Sequence, residues 1–368
     1  MKHDLVVTGT GAVTPVGLSA PATFAALRAG IARLVGFEPF DVAGGDAPSK
    51  PVPAGRVPVE WFTGGPIEEE WPGHERFGAP IPLPPHVPVP AGQGRLAFLA
   101  AHAAREACAQ AKLAAGPALG LYLGTDEADD AAALADGLHA ALPGKPELVR
   151  TYRNGRASGL LALAHAARHV SEGRVQAAVV GGVDSMLRPD VLRRLDDAGR
   201  IKSGSVRDGF LPGEAAAFVV LERESVARQH GATTLARLVS AAAASEPTAG
   251  TDDPCQGQGL TAAVRTALED GGRNEGCLVV CDLNGERLRA LEWALVNARL
   301  SHTVKGFVDL WHPADCIGDT GAASGPLGAA WAATALRKGY ASKPHVLLWG
   351  ASDGAARAAA WLEAPAKG

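Results

Sequence analysis

The stretch from Asn154 to Leu187, NGRASGLLALAHAARHVSEGRVQAAVVGGVDSML, constrains the fold more than any other part of the chain. Leu160, Leu163, Ala164, Ala167 and Val170 recur at helical spacing, which gives this segment one apolar face. Gly173 closes the helix, because glycine accepts the left-handed conformation common at a helix C-terminus. Ala177 to Val180 read as a buried strand that runs into Gly181-Gly182. A tight turn, an amphipathic helix and a buried strand make one unit of an α/β sheet. The turn before the helix is where such a unit would present a reactive group.

The alternation starts again after Thr233. The pattern predicts strands at Leu235 to Ala241, Cys277 to Cys281, Phe307 to Trp311 and Val346 to Gly350, with helices at Leu260 to Asp270, Arg287 to Arg299 and Gly325 to Lys338 between them. Strands alternating with helices imply an α/β architecture with mainly parallel strands. No sequence repeat is apparent between the two cycles. Earlier in the chain, Leu5 to Val7 is a short strand, Arg95 to Leu113 a helix, and Ala118 to Leu123 a strand ending in Gly124-Thr125. From about Phe37 to Gly94 the composition shifts to Pro and Gly, with PSKPVPAGRVP and GAPIPLPPHVPVPAGQG framing Glu68-Glu69-Glu70. Such a segment cannot be regular structure throughout and reads as a long surface excursion.

With 47% hydrophobic residues, a 368-residue chain can bury a large core. A formal charge of −4 without long like-charge blocks argues against nucleic-acid or anionic-membrane partners. No uncharged apolar run is long enough for a membrane span, and MKHDLVVTGTG enters a strand without a signal-peptide pattern, so a soluble cytoplasmic protein is expected. The five cysteines show neither C-x-x-C nor Cys/His zinc spacing, which predicts buried, reduced thiols and no metal. Thr8 to Gly17 has a G-x-G turn after a strand but lacks the third glycine, and Pro15 interrupts the expected helix, so no nucleotide cofactor is expected.

Three motifs together resemble the β-ketoacyl synthases of the thiolase-fold superfamily. Val6 to Gly17 is similar to that family's V-V-V-T-G-x-G-x-V-T-P-x-G opening. Arg207 to Glu222, RDGFLPGEAAAFVVLE, is similar to R-D-G-F-x-x-G-E-G-A-x-x-x-V-L-E, in which the residues matching Arg207, Asp208 and Glu214 brace loops beside the active site. Gly155 to Leu163 is similar to the nucleophile elbow A-C-S-S-G-L-x-A-L, followed like it by G-G-V. The resemblance implies a thiolase-like fold of two βαβαβαββ halves in five α-β-α-β-α layers, divided into 1–232, which includes the Pro/Gly-rich excursion 37–94, and 233–368. It also implies a dimer.

The family's chemistry needs a cysteine thiolate at the elbow and two histidines. Arg156 stands at the cysteine position, and arginine is permanently charged and forms no thioester. Asn284 stands at the first histidine, where an amide can donate a hydrogen bond but cannot act as a base. Asp319 stands at the second histidine, Ala314 replaces a lysine, and Trp349 to Gly354 replaces the gating G-F-G-G-T-N. A cation at a helix N-terminus is unfavourable unless an anion faces it. Arg156 is therefore expected to face Asp319, with Asn284 and Glu286 nearby. The departures suggest a non-condensing partner or accessory subunit, similar to chain-length factors or, more closely, to synthase-like proteins accompanying type VI secretion effectors, since a chain-length factor keeps more of the family's length and gating loop. The alternative is an active 3-oxoacyl synthase or acyltransferase with a relocated nucleophile such as Cys316, close to His312. Expected partners are a second copy, a related synthase, an acyl carrier protein or a secretion effector.

Other residues have simpler readings. Ser158 is expected to cap the elbow helix, and Ser352 to line the cleft. Glu286, Arg289 and Glu292 are spaced for a salt-bridged helix face. Asp126 to Asp130 reads as a solvated helix start or as a docking patch for a basic partner. Cys277 and Cys281 share one face of a strand and read as small core residues.

Overall fold

The computed structural model describes residues 4–37, 52–57, 92–114, 118–126, 130–203, 206–269, 276–303 and 305–366. Twelve strands are seen among them: β1 (Leu5–Val13), β2 (Val35–Phe37), β3 (Val52–Ala54), β4 (Leu119–Gly124), β5 (Leu148–Tyr152), β6 (Ala177–Ser185), β7 (Glu214–Arg223), β8 (Ala236–Ser245), β9 (Cys277–Cys281), β10 (Phe307–Trp311), β11 (His345–Ala351) and β12 (Ala356–Glu363). Ten of them follow the order β10-β9-β11-β12-β8-β1-β7-β6-β4-β5, while β2 and β3 pair separately.

This order is one five-strand pattern used twice. In the first run β4 is parallel to β5 and β6, and β7 is antiparallel to β6 and β1. In the second, β9 is parallel to β10 and β11, and β12 is antiparallel to β11 and β8. The runs join where Leu5–Val7 pairs with Ala236–Leu238.

Three apolar clusters set the layers. Helix Gly92–Gln110 packs on β1, β6 and β7, with Leu96, Leu99, Ala103 and Ala107 fully buried against Phe218 and Val220. Helices Ser158–Glu172 and Ser324–Lys338 lie between the two runs, each touching strands of both. Helix Gln258–Glu269 covers β8 and β12 from outside, and helix Arg287–Leu300 packs beside it. The result is the five-layered thiolase-like arrangement. Because the second middle helix lies between the two five-strand runs, Gly325 to Leu336 are all buried. An all-round apolar helix of this kind is what a central position requires.

The elbow itself is duplicated. Gly155–Ala157 and Gly321–Ala323 are both single 3₁₀ turns, each followed by a 15-residue helix ending at a left-handed glycine, Gly173 or Gly339. Both carry G-x-A-S-G, so a short repeat does exist between the halves where none was apparent in the sequence. It persists because the two elbows touch. A Cβ on Gly159 would lie 2.1 Å from Pro326 Cδ, and one on Gly325 would lie 2.7 Å from Leu160 Cγ.

Most of the Pro/Gly-rich segment, including Glu68 to Glu70, lies outside the described residues. Its 52–57 portion is not a surface excursion: Ala54 and Val57 are fully buried, and Gly55 bridges to Gly213. Among the described residues no helix is long and apolar enough to cross a membrane.

Candidate functional site

Arg156 is set in the 3₁₀ turn between β5 and helix Ser158–Glu172, a turn that Gly155 permits with φ +64°. The Ala157 N–H donates to Ser352 Oγ at 3.0 Å, and the Ser352 hydroxyl donates to the Asn154 carbonyl. Ser352 is therefore not a cleft-lining group but a brace that reaches the elbow from the β11–β12 hairpin. Ser158 is not the helix cap expected from its position. Its φ/ψ of −50°/−46° already place it inside the helix, and its hydroxyl turns back to accept the Asn154 N–H at 2.7 Å.

The Arg156 side chain is 4% exposed and points into a network of charges. Its Nε donates to Asp319 Oδ2 at 2.7 Å, and its Nη1 to Asp353 Oδ1 at 2.8 Å. Asn284 Nδ2 donates to the same Asp319 oxygen at 2.6 Å and to Glu286 Oε2 at 3.0 Å. Asp319 Oδ1 accepts the Gly321 N–H at 2.9 Å, which ties the second elbow to the first. Arg156, Asn284 and Asp319, 163 residues apart at the extremes, thus meet at one carboxylate.

Two further arginines close the network. Arg200 donates to Glu286 Oε1 at 2.7 Å and to Asp353 Oδ2 at 2.8 Å. Arg289 donates to Asp353 Oδ1 at 2.6 Å, lies 3.3 Å from Glu286 Oε2, and reaches the Ala351 carbonyl. The Phe210 ring sits beneath two of the guanidinium groups, 5.2 Å from Arg156 and 5.4 Å from Arg200. Three guanidinium groups face the carboxylates of Asp319, Glu286 and Asp353, and Asp282 adds a fourth carboxylate beside Arg289.

The electrostatics follow from this arrangement. Burial disfavours the Arg156 cation, but Asp319, Asp353 and Glu286 outweigh it and hold the group above the usual arginine range. Burial likewise opposes the Glu286 carboxylate, whereas Asp353 is half exposed at the edge of the network. Arg156, Arg200 and Arg289 hold Asp353 far below the usual range, and hydrogen bonds from Arg200 and Asn284 lower Glu286. Asp282, 3.7 Å from Arg289, is different: burial raises it to about 6 against the pull of Arg289, and its Oδ1 has no partner among the described residues.

No activated nucleophile is seen here. Burial, then Asp315, pushes the Cys316 thiol up, and His312 pairs with Asp315 at 3.0 Å. Burial raises Cys108 and Cys277 to about 12, and also raises Cys255 and Cys281. A thiol held protonated is a poor nucleophile. Cys277 and Cys281 are core residues of β9, as expected.

The motif around Glu214 is structural. Glu214 is fully buried and accepts from Val57 N–H at 2.8 Å, Arg95 Nε at 2.9 Å and Ser185 Oγ at 3.0 Å. Asp208 Oδ1 accepts the Arg287 N–H at 2.8 Å, at the start of the helix that carries Arg289. Arg207 is exposed and makes no ion pair among the described residues. Glu286 and Arg289 pair as expected, but on a buried face, and Glu292 pairs at 2.6 Å with Arg357 instead of Arg289. Asp130 caps helix Ala131–Leu138, Asp126 pairs with Arg188 at 2.8 Å, and 127–129 lie outside the described residues. Glu246, Cys255 and Glu292 place possible metal-ligand atoms within 4.8 Å of one another, but Arg357 already supplies a cation there and Glu246 accepts from Thr248 and Gly259.

Arg200, Phe210, Asp282 and Asp353 were not foreseen as members of this site. No spacing connects Arg200 to Asp353, 153 residues later. The one available signal was Asp353 itself, an acidic residue in the segment matching the family's gating motif.

Comparison with known proteins places this geometry. The model of the β-ketoacyl synthase N-terminal domain matches residues 150–227, which hold the elbow and the Glu214 motif. The actinorhodin polyketide β-ketoacyl synthase 2 of Streptomyces coelicolor is 30% identical over 196 residues, 50% of this chain and 47% of that protein. The 6-methylsalicylic acid synthase of Penicillium terrestre is 37% identical over 97 residues, 24% of this chain and 5% of that protein. The matched parts span less than half the length of these curated relatives. Among solved structures, a type II polyketide acyl-carrier protein in complex with its ketosynthase (AntDE:AntF) superposes with a TM-score of 0.77 at 17% identity, covering 99% of this chain and 100% of that one. The ishigamide ketosynthase/chain length factor does so with 0.74 at 19% identity and the same coverage. At such identities the superpositions establish the fold, which is thiolase-like, and the sequence matches to β-ketoacyl synthases cover parts of the chain.

Proposed function

We propose that this protein is a non-condensing member of the β-ketoacyl synthase family, acting as a partner or accessory subunit. The observation that carries the reading is Arg156 at the elbow, its guanidinium neutralised by Asp319 and Asp353. A group that is always cationic and held by two carboxylates neither carries an acyl chain nor takes a proton. Asn284 and Asp319, at the positions matching the family's two histidines, are spent on the same network. Arg156, Asn284 and Asp319 are thus former active-site positions, and Asp208 and Glu214 structural ones, a role that Arg207 does not share.

Between the two kinds of partner, the comparisons favour the chain-length-factor type: one similar structure is described as a ketosynthase/chain length factor. The partner in this reading is a related ketosynthase, with acyl carrier protein as a second, transient one. A secretion effector and a homodimer are the competing assignments. The repeated strand order supports dividing the chain near 232/233, and the expected site of action is the cytoplasm.

The test is incubation with acyl-CoA and acyl carrier protein followed by intact-mass spectrometry, together with co-expression with a ketosynthase. The reading expects no acyl adduct and a stable hetero-complex. An adduct that disappears in Cys316→Ala would overturn it in favour of a relocated nucleophile.

A further inference from the structure

Away from the arginine network, helix Ser158–Glu172 carries two histidines whose surroundings are unusually well ordered. His165 and His169 are four residues apart, so they stand one above the other on one face of the helix. Each uses Nδ1 in the same way. His165 Nδ1 is 2.8 Å from the Tyr152 hydroxyl, and His169 Nδ1 is 2.8 Å from the Tyr122 hydroxyl. The ring pairs lie 5.2 Å and 5.7 Å apart, tilted by about 50° in both cases.

The backbone explains the match. Tyr122 on β4 is in register with Arg150 on β5, and Tyr152 stands two residues further along β5 on the same face. Diagonal neighbours of this kind are roughly 7–8 Å apart, close to the ~6 Å that four residues rise along a helix. Two tyrosines on neighbouring parallel strands therefore hold two successive histidines of the overlying helix.

We propose that His165 and His169 form a binding site for a divalent first-row transition metal, each giving Nε2 as ligand while its Nδ1–H donates to the tyrosine hydroxyl. The Nε2 atoms make no hydrogen bond among the described residues. Imidazole is a ligand suited to nickel, copper and zinc, and a partner on the other ring nitrogen orients it for that use. Burial, then Arg168, lowers His165; burial, then Arg174, lowers His169, with Arg150 adding to this and Glu172 opposing it. Glu172 is held by Arg168 and Arg174, each at 2.7 Å, and is not counted as a ligand. Water would complete the coordination.

The test is calorimetric titration of the full chain with NiCl2, and separately with ZnCl2. The expected result is a one-to-one component that disappears in both His165→Ala and His169→Ala, because neither imidazole alone makes a chelate. Tyr152→Phe and Tyr122→Phe should weaken it by about tenfold, the usual effect of removing a ligand's hydrogen-bond partner. Circular dichroism checks folding, and His165→Gln and His169→Gln replace any alanine variant that fails it. No metal uptake by the wild type, or an isotherm unchanged in the histidine variants, would overturn the assignment.

Discussion

Replacing Asp319 by alanine tests the central ion pair. The carboxylate is 2% exposed and holds three groups: Arg156 Nε at 2.7 Å, Asn284 Nδ2 at 2.6 Å and the Gly321 N–H at 2.9 Å. Alanine leaves two side-chain donors and one backbone donor without it, in a site with little access to water. Breaking one side of a buried pair typically costs about 3–5 kcal/mol, mostly the penalty of the stranded charge. Asp353 still faces Arg156, which argues for the lower end, about 3 kcal/mol. With an unfolding entropy of about 2.1 cal/mol/K per residue, such a loss would lower Tm by about 4 °C in a chain of this length if unfolding is two-state. Thermal unfolding followed by circular dichroism or calorimetry measures it. The Arg156→Met/Asp319→Ala double variant should recover much of the loss, since it removes the stranded charge together with its partner. If Asp319→Ala unfolds at the wild-type temperature, the pair contributes nothing and the reasoning fails.

Asp353→Ala should release the β11–β12 hairpin from three guanidinium groups, and hydrogen exchange at Asn154 to Ser158 should then rise because Ser352 no longer holds the elbow as firmly. A raised folded-state pKa means that Asp282 favours folding while protonated; stability should fall as pH rises from about 4 through about 6, by up to roughly 3 kcal/mol, and Asp282→Asn should flatten that slope in urea titrations. The depressed carboxylates Asp353 and Glu286 act with the opposite sign, losing their contribution as pH falls below about 4, so the two windows separate. Gly159→Ala would place a methyl group 2.1 Å from Pro326 Cδ and should destabilise by about 1–3 kcal/mol, read from the urea midpoint.

Much of the site was legible in the sequence because the family's motifs give each position an address. Arg156, Asn284 and Asp319 could be named, and their opposite charges suggested that they meet. Arg200 lies outside every motif, and although Phe210 and Asp353 lie within matched segments, only the folded chain shows that they join this site. Ser158 and Ser352 show the same limit. The sequence offers a serine at a helix start, but backbone torsions place it one position too far in, and a serine 195 residues from Ala157 makes the contact instead.

By itself, the sequence determined the α/β class, the buried strands, the elbow and the arginine that stands there, since each depends on local periodicity or on the identity of one side chain. The tertiary structure decided what that arginine meets. Charges from five separate segments meet around the buried Arg156–Asp319 pair, with Asp353 half exposed at its edge, and such a meeting depends on distance in space, which has no counterpart in distance along the chain.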